Sequence, residues 1–229
     1  MNAPSARVPR AVLFDAYGTL FDVYSVGILV ERLFPGFGER LGIVWRDKQI
    51  EYTRLASMSG RVRSFRDCTL AGLRYAAARF GLTLTEGAEQ ELMRAYEQLA
   101  PFPENRAVVV ELKRRGIRAG ILSNGDPDML EAVVRHAGFA DLVDPVLSVE
   151  GTGRFKTDPA AYSLGTAAFG LAAADILFVS SNCWDAIGAT WFGYTTLWIN
   201  RFQLPLDDLG ARPTRIGTQL GDVLDFFPS

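Results

Sequence analysis

The residues Ala11, Val12, Leu13 and Phe14 form an apolar run that stops on Asp15 and a turn carrying Gly18. A run this short, closed by a turn signal, reads as a buried parallel strand. In an open α/β sheet the carboxyl ends of the strands face the ligand crevice. This reading therefore aims Asp15 into a site and makes it the leading candidate for a nucleophile. An aspartate in that place can equally do no more than cap the turn that follows. The rest of the chain decides between the two.

After Phe21 the hydrophobic period changes. Residues 22–34 carry Val23, Val26, Leu29, Val30 and Leu33 at helical spacing, and further helical patterns cover 40–56, 65–80 and 86–99. Breakers at Pro35-Gly36, Ser59-Gly60, Gly81 and Pro101-Phe102-Pro103 separate them, and Ser64 and Thr85 are expected N-caps. From residue 103 onward, helices over 106–115, 128–136, 160–169 and 184–192 alternate with strands over 117–122, 145–147, 176–179 and 195–199. Such alternation predicts a parallel sheet with helices on both faces. The expected fold class is α/β: a Rossmann-like, doubly wound parallel-sheet core over residues 1–20 and 103–229. A helical cap subdomain over 21–102 is expected to be inserted above the carboxyl edge of the first strand.

A chain of 229 residues is long enough for one core with an inserted subdomain, not for a second enzyme domain. The formal charge is -2 and there is no basic cluster, so a nucleic-acid or anionic-membrane partner has no electrostatic support. A small-molecule site fits better. Residues 1–10 are polar and carry proline, and the apolar run after them is too short for a signal-peptide core or a membrane span. A soluble, cytoplasmic protein is expected. Cys68 and Cys183 lie far apart without metal-ligand spacing and read as two reduced thiols. The single histidine, His136, closes a helical pattern just before Gly138, where an imidazole suits the negative end of the helix dipole. Any general base is therefore expected to be another residue type.

Polar residues gather at the ends of successive predicted strands: Asp15 with Thr19, then Ser123 and Asn124, then Lys156, and finally the segment from Ser180 to Asp185. Singly, each has an ordinary reading, since Ser-Asn-Gly is a common turn and a lone lysine is usually a solvated charge. In this order, however, D-A-Y-G-T-L-F-D, W-R-D-K-Q-I-E-Y-T, I-L-S-N-G, K-T-D-P-A-A-Y and F-V-S-S-N-C-W-D-A-I-G-A resemble the haloacid dehalogenase superfamily. Within it they are similar to the L-2-haloacid, or (S)-2-haloacid, dehalogenase family of type II. The resemblance covers nearly the whole chain.

Two departures from the wider superfamily bear on chemistry. Its phosphatases place a second aspartate two residues after the nucleophile to protonate a leaving alkoxide, and this chain has Tyr17 there. Halide is the anion of a strong acid and leaves without a proton, so the missing acid suits carbon-halogen cleavage. By the same resemblance Ser181 replaces the first of two late acids, leaving too few carboxylate oxygens for the magnesium that phosphoryl transfer requires. No metal and no other cofactor is expected.

The resemblance implies hydrolysis of an (S)-2-haloalkanoic acid to the (R)-2-hydroxy acid and halide, through an aspartyl ester on Asp15. It implies that Lys156, Thr19, Ser180 and Asn182 orient the nucleophile or offset its charge. Asp185 would orient or deprotonate the water that hydrolyses the ester. The backbone of Ala16 and Tyr17, with Ser123 and Asn124, would hold the substrate carboxylate. Arg46 would reach from the cap to the halogen with help from Asn124, whereas an arginine on an exposed helix ordinarily pairs with neighbours such as Asp47 or Glu51. Phe65, Tyr162 and Trp184 would line the substrate pocket, although aromatics in such places are more often packing. Thr157 stands where the family usually has proline and is expected to loosen the loop of Lys156. A homodimer is implied as well. The competing readings are a phosphatase of the same superfamily with drifted motifs, and a non-catalytic binding protein that keeps the fold.

Overall fold

The computed structural model describes residues 8–228, so the expectation for the polar leader falls largely outside the described residues. Ala11–Phe14 forms strand β1, and all four residues are fully buried. It is followed by a 3-10 turn at Val23–Val26 and by helices α1 (Gly27–Leu33), α2 (Gly38–Ser59), α3 (Phe65–Arg79) and α4 (Glu86–Tyr96). The rest alternates as α5 (Asn105–Arg114), β2 (Arg118–Ser123), α6 (Pro127–His136), β3 (Val146–Ser148), α7 (Pro159–Phe169), β4 (Ile176–Ser180), α8 (Cys183–Phe192), β5 (Thr195–Ile199) and β6 (Arg215–Gly217). The sheet is six-stranded in the order β3-β2-β1-β4-β5-β6, with every pair parallel.

The two sides of β1 explain why its sequence is apolar throughout. Phe14 is level with Ile121 of β2 on one side and Val179 of β4 on the other, so no edge of the strand meets water. The strand order reverses at β1, and the crevice at such a reversal is where open α/β sheets bind ligands. Asp15, one residue past Phe14, donates its N–H to Val179 O at 2.9 Å. It thereby sits at that crevice, beside the end of β4.

The predicted elements are present, with differences at their ends. The helix expected over 22–34 begins as a 3-10 turn, with Asp22 Oδ1 accepting from Tyr24 N at 2.9 Å, and becomes α-helical at Gly27. Ser64 and Thr85 cap α3 and α4 as expected. Strand β6 was not expected. It is three residues at the sheet edge, and its Ile216 is 52 % exposed, so no apolar period marks it. The chain passes into and out of α1–α4 through adjacent segments, with Asp22 N donating to Ala100 O at 2.8 Å. Trp45 Nε1 donates to Thr69 O at 2.7 Å and ties α2 to α3, which come close at Gly72.

Helix α7 approaches β1 closely at Gly165, where an added Cβ would lie 2.4 Å from Leu13 Cδ2 and 2.5 Å from Tyr194 Oη. Interiors packed this tightly resist added volume. Gly165→Ala is expected to lower the unfolding free energy by about 1–3 kcal/mol, read as a shift in the denaturant midpoint. An unchanged midpoint would show that the α7–β1 contact yields without cost.

Candidate active site

Asp15 is held from several directions. Its Oδ2 accepts from Thr19 Oγ1 at 2.8 Å and from Asn182 Nδ2 at 2.9 Å. Its Oδ1 accepts from Lys156 Nζ at 3.0 Å, and the same ammonium donates to Asp185 Oδ2, also at 3.0 Å. The turn after β1 brings Thr19 back over Asp15, and Thr19 Oγ1 in turn accepts from Ser181 N at 2.8 Å. The strand-end segments of β1 and β4 are thus stitched together at the nucleophile.

Lys156 is held by its backbone as well as its side chain. Its N–H donates to Asn124 Oδ1 at 2.9 Å, and its ammonium lies 4.9 Å from the centre of the Phe178 ring. Thr157 has therefore not released the lysine from the site. On the far side of the lysine, Tyr162 donates its hydroxyl to Asp185 Oδ1 at 2.8 Å. Burial pushes the Asp185 carboxyl up to about 6, and the positive charge of Lys156 opposes that push. Burial alone would lower the lysine, but Asp15 and Asp185 together outweigh it, and its pKa lies above the ordinary lysine value.

Above Asp15 is a cavity of about 10 Å³, room for roughly one water molecule. Its lining brings together Asp15, Tyr17, Arg46, Phe65, Ser123, Asn124, Asn182 and Trp184, with Ile50 and Thr53 beside them. Among the described residues, the N–H groups of Ala16 and Tyr17 have no hydrogen-bond acceptor. They remain as donors at the end of β1. The Phe65 and Tyr17 rings lie 5.0 Å apart across the cavity wall.

Arg46 is 7 % exposed, not an open cleft residue, and it pairs with neither Asp47 nor Glu51. Its Nη1 donates to Gln49 Oε1 at 2.6 Å and its Nη2 to Tyr17 O at 3.0 Å. Gln49 is fully buried, and its Oε1 accepts from Tyr96 Oη at 3.0 Å as well, so the guanidinium is fixed from within the helical layer. Sequence reasoning missed Gln49. The signal was its place one helical turn beyond Arg46 on the same face of α2.

Tyr162 and Ser180 do not stand where the sequence puts them. Tyr162 does not line the cavity, because its place on α7 turns it under Asp185, where it positions that carboxylate. Ser180 does not touch Asp15, since its Oγ accepts from Asn182 N at 3.1 Å and so shapes the loop that delivers Asn182. Asn124 uses its carbonyl oxygen on the Lys156 backbone, leaving only its NH₂ for the cavity. Asp185 is absent from the lining, with Lys156 and Tyr162 engaging its two oxygens. Ser123 Oγ accepts from Gly125 N at 3.1 Å, which leaves its hydroxyl proton available. Among the described residues, no group of three or more His, Cys, Asp or Glu is placed to hold a metal ion.

The sequence pattern of the haloacid dehalogenase-like hydrolases matches residues 9–193. An (S)-2-haloacid dehalogenase of Pseudomonas sp. (strain YL) is 44 % identical over 218 residues, which are 95 % of this chain and 94 % of the relative. A crystal structure of an L-2-haloacid dehalogenase superposes with a TM-score of 0.93 at 53 % identity, covering 96 % of this chain and 99 % of the other. The L-2-haloacid dehalogenase of Xanthobacter autotrophicus with chloropropionic acid covalently bound superposes with a TM-score of 0.89 at 35 % identity, covering 96 % and 100 %.

Because Lys156 and Tyr162 favour the ionised form of Asp185, removing either must raise its pKa. In isotope-edited infrared spectra, the Asp185 carboxyl is expected to titrate near 6 in the native protein and at higher pH in Lys156→Met and Tyr162→Phe. A titration that stayed in place or moved down would refute the electrostatic arrangement described.

Proposed function

The chain belongs to the haloacid dehalogenase-like hydrolases, and with that membership as premise we propose that it hydrolyses (S)-2-haloacids through an ester formed on Asp15. The observation that carries this reading is a buried carboxylate, fixed by Lys156, Thr19 and Asn182, that opens on a cavity beneath the Arg46 guanidinium. We take residues 21–102 as the cap and residues 1–20 and 103–229 as the core.

Asp15 Oδ1 has one protein donor, Lys156, and so keeps a lone pair for attack. It displaces halide from carbon 2 on the face opposite the carbon-halogen bond, and the halide departs with the bonding electrons. Configuration inverts once. The guanidinium of Arg46 receives the anion. The substrate carboxylate is met by the free N–H groups of Ala16 and Tyr17, the Ser123 hydroxyl and the Asn124 amide. Trp184 and Phe65 supply apolar walls.

Water then attacks the aspartyl carbonyl carbon. Negative charge develops on Oδ2, where Thr19 Oγ1 and Asn182 Nδ2 already donate at 2.8 and 2.9 Å. Donors in place before the charge arrives are the strongest form of electrostatic catalysis. The proton of the water passes to the Lys156–Asp185 pair, since a carboxyl near 6 is a competent base at neutral pH. The bond between the carbonyl carbon and Oδ1 breaks, the departing alkoxide takes that proton, and Asp15 reforms with an oxygen from water, its second proton leaving to solvent as the counterpart of the released halide.

A drifted phosphatase is not favoured. Tyr17 supplies no acid for an alkoxide, and the Lys156 ammonium lies between the two carboxylates that a magnesium ion would need. The family resemblance also supports a cytoplasmic homodimer that takes small haloalkanoic acids and no nucleic acid. Among the described residues, no helix is long and apolar enough to cross a membrane.

The test is halide release from L- and D-2-chloropropionate with and without EDTA. Release from the L form alone, unaffected by EDTA, is expected, whereas activity abolished by EDTA and restored by Mg²⁺ would overturn the reading. Arg46→Ala is expected to lower kcat by about 10²–10³, the usual effect of removing a preorganised charge from a developing anion. An unchanged rate would confine Arg46 to packing. Asp185→Asn is expected to slow the second step more than the first, so that mass spectrometry of the quenched enzyme finds a substrate-derived adduct on the peptide holding Asp15. Absence of an adduct alongside slow turnover would take Asp185 out of ester hydrolysis.

A further inference from the structure

Helix α3 has its first-turn donors answered from two sources. Ser64 caps it locally, with Oγ accepting from Asp67 N at 2.9 Å and the carbonyl accepting from Cys68 N at 3.2 Å. The two remaining donors, the N–H groups of Phe65 and Arg66, both go to Asp126, at 2.7 Å to Oδ1 and 2.8 Å to Oδ2. Asp126 belongs to the other side of the cleft. It follows directly on Ser123, Asn124 and Gly125 at the end of β2 and occupies the N-cap position of α6. An aspartate at an N-cap ordinarily turns back onto its own helix. This one makes no capping bond to α6 and is only 5 % exposed, its carboxylate committed to α3. Two charge-assisted bonds at the positive end of a helix dipole make a firm attachment.

We propose that Asp126 is a positioning residue for dehalogenation, holding the first turn of α3 on the core and thereby setting the Phe65 ring as a wall of the haloacid cavity. This rests on the reading of Phe65 as a substrate wall given above. Phe65 is both the residue whose N–H meets Asp126 and the residue whose ring packs on Tyr17 in the cavity wall. Arg66 adds a second strut, donating to Asp128 Oδ2 of α6 at 2.8 Å, but that pair is solvent-exposed and contributes little. A cavity with room for one water cannot admit a haloacid without movement of the helices above it. The Asp126 bonds cross the seam between α3 and the end of β2, where the Phe65 wall meets the core. Weakening them lets the first turn of α3 and the Phe65 ring leave the position that encloses a bound haloacid, so the enclosed complex is less populated and apparent affinity falls by that fraction. Chemistry at Asp15, which Asp126 does not touch, continues once the cavity is closed.

The experiment is kcat and KM for L-2-chloropropionate, with amide hydrogen exchange, in the native protein and in Asp126→Ala, Asp126→Asn and Ser64→Ala. Asp126→Ala is expected to raise KM about ten-fold with kcat changed by less than about three-fold, as a population shift requires. Asp126→Asn keeps one acceptor oxygen and is expected to fall between, and both variants should speed exchange at Phe65 and Arg66. Ser64→Ala removes a cap from the same helix but no hydrogen bond to the core, and is expected to leave KM unchanged. An equal rise in KM for Ser64→Ala would overturn the proposal, because general fraying of α3 would then suffice. Native KM and native exchange in Asp126→Asn would also overturn it, and that isosteric variant carries the test if the alanine variant fails to fold. Exchange at Phe65 and Arg66 is read without substrate, so a native protein that released no halide would contradict the proposed function without deciding this attachment.

Discussion

One ammonium group, that of Lys156, lies 3.0 Å from Asp15 and 3.0 Å from Asp185, and the rest of the site depends on it. Two carboxylates cannot stay ionised together in a buried place without a cation between them. The pKa of Lys156 is raised in the folded protein, so its contribution to stability is complete below the ordinary value of 10.5 and is lost as pH rises beyond it. The pKa of Asp185 is also raised, from 3.8 to about 6, so its contribution is present below 3.8 and lost as pH rises through 6. At neutral pH the buried Asp185 charge is a cost that Lys156 offsets. Such a pair is poor evidence of stability, but it keeps a base close to neutrality beside the nucleophile.

The sheet places the nucleophile and its neighbours at strand ends, while Lys156 comes from the connection between β3 and α7. Asp15 follows β1, Ser123 ends β2, and Ser180 ends β4, so neighbouring strands present their ends on one line. Thr19 and Asn182 then converge on a single oxygen of Asp15, which leaves the other for attack. Deeper in the core, Asn105 donates to Thr19 O and Leu20 O, both at 2.9 Å, and Arg201 holds Asn105 Oδ1 at 3.1 Å. The turn that carries the nucleophile is thus fixed from behind as well as in front.

Much of this was legible because the chemistry sits at element boundaries. The apolar run stopping at Asp15, the alternation after residue 103 and the caps Ser64 and Thr85 each have a local cause, and each is present in the structure. What stayed hidden depends on contacts between distant segments. Tyr162 and Trp184 are both aromatics beside motif residues, yet only the packing of α7 against α8 decides that Tyr162 meets Asp185 while Trp184 meets the cavity. Gln49 reads as a polar residue of a helix until Arg46, Thr69 and Tyr96 are found around it. Asp126 reads as an ordinary N-cap, and nothing near it in sequence points to α3.

The central claim is that a carboxylate oxygen of the enzyme, not water, makes the new bond to carbon 2. A single turnover in ¹⁸O-water with enzyme in excess over substrate tests it directly, because only the route through an ester leaves the solvent label on the protein. The 2-hydroxy acid from that turnover is predicted to carry no ¹⁸O at its hydroxyl, and the peptide containing Asp15 is predicted to gain it. Label in the product of the first turnover, with none in the Asp15 peptide, would contradict the claim and leave direct attack by water as the route.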